Sequence, residues 1–438
     1  MQHAAEVMAS PGLQRAAANL GWLFAERAVR LVLGVGVGFL VARHLGPEQL
    51  GGLNYAIALT TLAGAVVSLG VESIVKRDVL REPARTAEIL ASGACLRLLA
   101  ALPTIGALLG FAALAPGAEA PLLALLAATL LQPALLLPEV WLQSQLLARP
   151  ATVIQTAVLG VGAALRLWLI ATAAPLAGFA AVLVLEAGLA AAGLHWAARR
   201  AGCPFRWSAA TRSEMGRLLR ESWPLLFASL AVVLYMKIDE VMLRHLVGPA
   251  AVGLYSAATR LTEIWYFIPT ALASSTLPAL LRARERGSEA YHLRFQQYFD
   301  LSAAAAYALA VPVALAAPWI VRLAYGPEYS ASAGIVALHV WASVFVFLGV
   351  ARGQWLVNES HQRFYLVATS GGALLNIGLN LLLIPRWGGL GAALATVISY
   401  AAAAWLSSFL HRSVRPIALL QTRALLIPFR AWGYLRRS

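Results

Sequence analysis

Lys237, Asp239 and Glu240 crowd into four consecutive positions of a segment otherwise suited to hydrocarbon. Ionised side chains inside a bilayer are costly, so they pair with one another or face a wet cavity. Lys237 and Glu240 share a helical face at a spacing of three, and Glu240 can equally reach Arg244 at a spacing of four. Either pairing is a structural role. A carboxylate left over can load a proton or Na+ when a cavity opens, and Asp239 is the first candidate, with Glu240 and Glu263 beside it. A second constellation is cationic. Arg27 and Arg30 lie three apart on one face, which Gly34 and Gly38 continue, and Arg260 stands three before Glu263 ahead of Trp265, Tyr266 and Pro269. Guanidinium stays charged, so Arg27 and Arg30, completed by Arg260, could form a cationic site that admits an anionic headgroup. Plainer roles stand beside these. Gly34-x-x-x-Gly38 can pack a neighbouring helix, and Arg27 can reach the surface or pair with Glu26. Arg97, Arg166, Glu139, Glu186 and Arg352 are single charges in long apolar segments, where buried pairs or interfacial positions are the commoner outcome.

The elements that must carry these groups are membrane helices. Of the 438 residues, 60% are hydrophobic and only 12% charged, with a mean hydropathy of +0.72. Soluble domains run near 45–50% apolar with roughly a quarter charged. At about 20 residues per crossing, about twelve segments qualify: 20–43, 50–74, 88–114, 121–147, 151–173 and 176–198, then 221–245, 251–279, 296–323, 331–356, 364–385 and 388–410. The net charge of +14 gathers in the loops after the second and eighth segments, in the central loop and in the tail. This follows the positive-inside pattern with both termini cytoplasmic, and nucleic acid is not needed to explain it. The fold class expected is therefore an all-α integral membrane protein.

Two copies of one pattern organise the chain. Arg43-His44-Leu45 with Gly46-Pro47 and Gly52-Leu53 returns as Arg244-His245-Leu246 with Gly248-Pro249 and Gly253-Leu254. Six spans per half make the repeat a parallel one, two six-helix lobes around a central cavity. The lobes are expected over 1–198 and 221–410, joined by a basic cytoplasmic linker over 199–220. A basic tail over 411–438 reads as an amphipathic surface helix bent at Pro428. The first span reads as uncleaved, not as a signal peptide. Cys95 and Cys203 lack metal-ligand spacing, so no disulfide or zinc site is expected. No phosphate-binding loop and no zinc-protease or serine-hydrolase motif appears, and an enzyme is not the expectation.

Val41-Ala42-Arg43-His44-Leu45-Gly46-Pro47-Glu48-Gln49-Leu50-Gly51-Gly52-Leu53-Asn54-Tyr55-Ala56 resembles the first-loop signature of bacterial polysaccharide flippases. Leu69-Gly70-Val71-Glu72-Ser73 before Lys76-Arg77 resembles the end of their second helix, and Lys237 to Leu243 with Val252 to Ala258 resembles the start of their second half. The resemblance, to the O-antigen and exopolysaccharide (Wzx-type) flippases, runs over nearly the whole chain. It belongs to the superfamily that also holds lipid II flippases and multidrug extrusion transporters. It implies movement of an undecaprenyl-diphosphate-linked oligosaccharide from the cytoplasmic to the periplasmic leaflet of the bacterial inner membrane by alternating access. Cavity arginines would sit on the diphosphate, an H+ or Na+ gradient would drive the cycle, and no other cofactor is implied. A monomer is expected, with a glycan polymerase and a chain-length regulator as partners. Two other readings remain: a multidrug-type cation-coupled antiporter of small molecules, which excess intramembrane arginine disfavours, and a membrane enzyme of glycan assembly, for which no long periplasmic loop is present.

Overall fold

The computed structural model describes residues 32–430 apart from positions 115, 116, 118 and 146, and the described part is helical with no strand. Among the described residues nine stretches are long and apolar enough to cross a membrane. Two of these, Leu33–Arg81 and Gln362–Phe409, run to 49 and 48 residues, twice what a crossing needs. Each is two spans joined at a glycine. Gly46 (φ 70°, ψ 170°) interrupts α1 (Val37–Ser68), and Gly388 (φ 52°, ψ −129°) interrupts the long helix Gln362–Ala404. A side chain at either φ would be strained. One further helix, Arg212–Leu246, is 35 residues long and uncharged from Trp223 to Met236, and with it the spans number twelve among the described residues. The protein is a multi-pass, all-α membrane protein of the two-lobed twelve-helix kind.

In chain order, α1 is followed by α2 (Val71–Arg81), α3 (Thr86–Leu114), α4 (Ala120–Leu126), α5 (Gln132–Leu135), α6 (Leu137–Ser144), α7 (Ala148–Ala171) and α8 (Leu176–Arg200). Then come α9 (Arg212–Leu246), α10 (Pro249–Glu263), α11 (Phe267–Glu285), α12 (Ser288–Tyr325), α13 (Ser332–His339), α14 (Ala342–Asn358), α15 (Gln362–Ala404) and α16 (Arg415–Leu425). The chain divides into two compact units: Met1–His44 with Val67–Ser222, and Leu45–Val66 with Trp223–Ser438. The second half of α1 thus packs with the second unit.

In the first unit the intramembrane charges are structural. The span expected over 121–147 is a broken rod, α4 to α6, with Pro133 and Pro138 in it, and α1 gives way to α2 through Leu69 (φ 52°) and Gly70 (φ 64°). Both breaks free backbone carbonyls, and Arg97, only 3% exposed, takes them. Its Nε donates to Ser68 O (3.2 Å) and its Nη1 to Pro133 O (2.7 Å). We expect Arg97→Ala to cost about 3 kcal/mol, since two buried acceptors lose a charged donor, read as a lower thermal midpoint of the purified protein. Arg166 and Glu186 form a bidentate pair at 2.7 Å, against Gly162, where a Cβ would lie 1.6 Å from Glu186 Oε1. Glu139 accepts from Gln155 Nε2 at 2.6 Å.

The connection between the sequence halves is shorter than a 199–220 loop, because Arg212 already begins α9. Arg217 on its first turns reaches Asp78 Oδ2 (2.7 Å) on α2, and Arg85 reaches Glu214 Oε2 (2.8 Å). The tail is not a surface helix. α16 buries Ile417, Ala418, Gln421 and Ala424 in the second unit. Trp405 Nε1 donates to Thr422 Oγ1 (3.0 Å), Gln421 Nε2 to Ala404 O (2.9 Å) and Tyr307 to Leu425 O (3.0 Å). The chain turns at Leu426, just ahead of Pro428, whose ring excludes the carbonyl four residues back. Residues 431–438 lie outside the described part. Cys95 and Cys203 are free thiols, and burial pushes the Cys203 thiol up, away from reactivity.

Candidate ion-coupling and anion-binding site

In the second unit α9 carries Lys237, Asp239 and Glu240 on adjacent faces, and the three part company. Lys237 Nζ meets Glu240 Oε1 at 2.7 Å, which selects that pairing over Glu240 with Arg244. Glu240 is 5% exposed and Lys237 keeps 29% of its side chain accessible, so the pair neutralises a deep carboxylate with a lysine that still touches the surface. Arg244 lies instead over the Tyr55 ring, 5.8 Å from its centroid.

Asp239, 4% exposed, faces uncharged donors. Tyr255 on α10 donates to Oδ2 at 2.6 Å, Thr396 Oγ1 lies 2.8 Å from the same oxygen, and Asn380 Nδ2 donates to Oδ1 at 2.5 Å. The set continues outward: Asn380 Nδ2 also reaches Asn376 Oδ1 (3.0 Å), Asn376 reaches Ser399 Oγ (3.4 Å), and Tyr255 packs edge-on to His339, which is 2.8 Å from Thr262 Oγ1. Asn376, Asn380, Thr396 and Ser399 lie on the two arms of α15 that fold back at Gly388, so one hairpin brings them together. A carboxylate so enclosed, with three donors and no cationic side chain bonded to it among the described residues, is held by hydrogen bonds alone. Asn380 Oδ1 is buried without a partner. The set around Asp239 is thus a carboxylate ringed by one amide N–H group and two hydroxyls, neutral partners beside which a carboxylate can take up a proton or a hard monovalent cation.

Arg260 and Glu263 end α10. The helix tightens into a short 3-10 turn over Ile264–Tyr266 before α11, just ahead of Pro269, which can give no hydrogen bond to Trp265 O. Glu263 is half-buried and Arg260 exposed. Among the described residues Arg260 makes no ion pair with Glu263 or any other carboxylate. Its positive charge lies near enough to the Lys237–Glu240 pair in α9 to act on both. Arg27 and Arg30 lie outside the described residues. The sequence reading missed Tyr255, Asn376, Asn380 and Thr396. The visible signal was the i, i+4 pair Asn376 and Asn380 in an apolar span.

The family model described as "Polysaccharide biosynthesis protein" matches residues 16–284, well over half of the chain. The chain belongs to that family. A second family model, MatE, matches residues 224–382, the span that holds Asp239, Tyr255 and Asn380. A "Probable flippase AglR" of Haloferax volcanii is 27% identical over 181 residues, which is 38% of this chain and 35% of that protein. The matched part is thus about a third of the relative's length. Among solved structures, a lipid II flippase, MurJ, in an inward closed conformation is similar with a TM-score of 0.73 at 12% identity, over 94% of this chain and 91% of that one. An inward-facing multidrug resistance MATE family transporter of the MOP superfamily gives a TM-score of 0.65 at 16% identity, over 91% and 95%. At such identities the likeness is one of fold. This member of the polysaccharide biosynthesis family is therefore a multi-pass membrane protein with the fold that flippases and extrusion transporters share.

Proposed function

We propose that the protein is a flippase that moves an undecaprenyl-diphosphate-linked oligosaccharide from the cytoplasmic to the periplasmic leaflet by alternating access, for O-antigen or exopolysaccharide assembly. The observation that carries this reading is the family match over 16–284, joined to an exposed Arg260 that forms no ion pair among the described residues. Glycan hydroxyls cannot enter hydrocarbon cheaply. A wet path through the protein removes that cost while the polyprenyl chain stays in lipid. Arg260, with Arg27 and Arg30 of the first span, takes the diphosphate. Asp239 carries the coupling H+ or Na+, with Glu240 and Glu263 tuning the field around it. The protein acts as a monomeric transporter, not an enzyme, in the inner membrane with both termini cytoplasmic, and it hands its cargo to a polymerase and a chain-length regulator.

Deleting the gene is expected to accumulate one undecaprenyl-linked glycan in the inner leaflet, identified by mass spectrometry of the lipid extract. No accumulation, with altered drug sensitivity instead, would favour the small-molecule antiporter. Arg260→Ala and Arg30→Ala should each weaken cargo binding about 10- to 100-fold, the worth of a charged hydrogen-bond pair, and fail to complement at unchanged membrane levels. Full complementation by both would remove the diphosphate assignment.

A further inference from the structure

A cavity of about 180 Å³ opens between α11 and α12, lined by Ala279, Arg282, Ala283, Arg286 and Arg294. Its shape follows from a tight turn. Gly287, at φ 116°, ends α11 and starts α12 with a backbone conformation that a side chain would strain, so the last turn of α11 folds against the early turns of α12. Arg282 and Arg286 share a face at i, i+4, and Arg294 closes the third side. All three are exposed.

Nearby arginines are used differently. Arg284 donates to Asn358 O (2.9 Å) and meets Glu359 at 3.4 Å, and Arg430 meets Asp300 at 3.1 Å. Around the cavity, Arg282 Nε donates to Pro278 O (3.2 Å) and Arg294 to Gln297 Oε1 (3.0 Å). Glu285 and Glu289 flank the turn, yet among the described residues neither forms an ion pair with Arg282, Arg286 or Arg294. Three guanidinium groups thus converge on one hollow with no carboxylate to neutralise them. The hollow far exceeds the roughly 15 Å³ that a single water requires, and it admits a phosphodiester. Leu281 and Leu293, next in the chain to Arg282 and Arg294, are 45% and 60% exposed, on helices that continue into membrane spans. Charge in a hollow beside bare leucine is the pattern of a lipid headgroup with its chains alongside. Basic pockets between membrane helices on the positively charged side take anionic phospholipids.

We propose that the Arg282–Arg286–Arg294 hollow binds the phosphate of an anionic glycerophospholipid, phosphatidylglycerol or diphosphatidylglycerol, and so ties the α11–α12 turn to the leaflet surface. This site is separate from Arg260 and does not depend on what the protein transports.

The test uses the purified full-length protein in neutral detergent, stripped of lipid and titrated with diphosphatidylglycerol, with bound lipid counted by native mass spectrometry. The triple variant Arg282→Gln, Arg286→Gln, Arg294→Gln should bind about 100-fold more weakly, each basic residue contributing roughly fivefold. An equally charge-reduced control, Arg199→Gln, Arg200→Gln, Arg212→Gln, should bind as the natural protein does. Phosphatidylcholine should bind neither tightly nor differently among the three. Should the triple variant fold poorly, the single Arg286→Gln carries the test with a fivefold loss. Equal weakening in the control triple would reduce the site to diffuse electrostatics and overturn the proposal. So would displacement of the lipid by inorganic pyrophosphate, which marks a free-anion site, or by undecaprenyl diphosphate, which gives the hollow to the cargo.

Discussion

Asp239→Asn is expected to give a folded, membrane-inserted protein that has lost gradient-driven transport. The substitution is nearly isosteric. Its carbonyl oxygen can keep Tyr255 and Thr396 where Asp239 Oδ2 now holds them, at 2.6 and 2.8 Å. Its amide would face Asn380 Nδ2, two donors in opposition. Asn380 and Asn376 can resolve this by turning their amides together, because Asn380 Oδ1 now lies buried without a partner and the Ser399 hydroxyl can donate to Asn376 Oδ1 as well as accept. Folding is therefore preserved while the charge disappears. Losing a charge-assisted contact to a bound ion costs about 3 kcal/mol, close to a 100-fold loss of ion affinity. In proteoliposomes carrying a fluorescent lipid-linked glycan, an imposed pH or Na+ gradient should no longer accelerate flipping by Asp239→Asn. Movement down the cargo's own gradient should survive. Comparing the two gradients on the natural protein names the ion. If Asp239→Asn responds to the gradient as the natural protein does, Asp239 is not the carrier and the Lys237–Glu240 pair becomes the next candidate.

Much of this site could be read in the chain, and the unread part has a physical cause. Charge in an apolar segment is conspicuous because hydrocarbon penalises it, so Lys237, Asp239 and Glu240 stood out. Their division of labour did not, since i, i+3 spacing allows the pair but cannot say which residue a tyrosine from the next helix will reach. The partners of Asp239 are neutral, lie at 255, 380 and 396, and meet only because α15 doubles back at Gly388. Arg97 read as a lone charge of undefined depth, because its partners include backbone carbonyls freed by helix breaks that composition does not announce. The tail misled for a related reason. Arg423 and Arg430 recur among apolar residues as on a surface helix, yet the face with Ile417, Leu420 and Ala424 finds cover in the bundle. The twelve spans were legible throughout, since length and hydropathy suffice to mark a crossing.

The repeat that divides the sequence makes the sharpest mechanical prediction, because its two copies touch one another. Within the second unit, a Cβ on Gly51 would lie 1.8 Å from Pro249 O, and one on Gly253 would lie 1.9 Å from Pro47 O. The contact is reciprocal: each glycine sits against the proline carbonyl of the other copy, so α1 and α10 cross backbone to backbone. Small residues allow such approach between membrane helices. Asn54 Nδ2 donates to Ser256 Oγ at 2.6 Å one turn on, and Tyr55 OH lies 3.1 Å from His245 Nε2. In the proposed orientation this end faces the periplasm, and in the proposed alternating-access cycle outward release parts the crossing. In a background of Cys95→Ser and Cys203→Ser, the pair Asn54→Cys and Ser256→Cys should oxidise readily to a disulfide, arrest flipping, and recover on reduction. Gly253→Val should act in the opposite sense. Its side chain has no room beside Pro47 O, overpacking of this kind costs about 1–3 kcal/mol, and the crosslinking rate of the cysteine pair should fall about 10-fold or more. A quantitative 54–256 disulfide in a protein that still flips at its natural rate would show that this end stays shut through the cycle, and alternating access through the α1–α10 crossing would have to be abandoned.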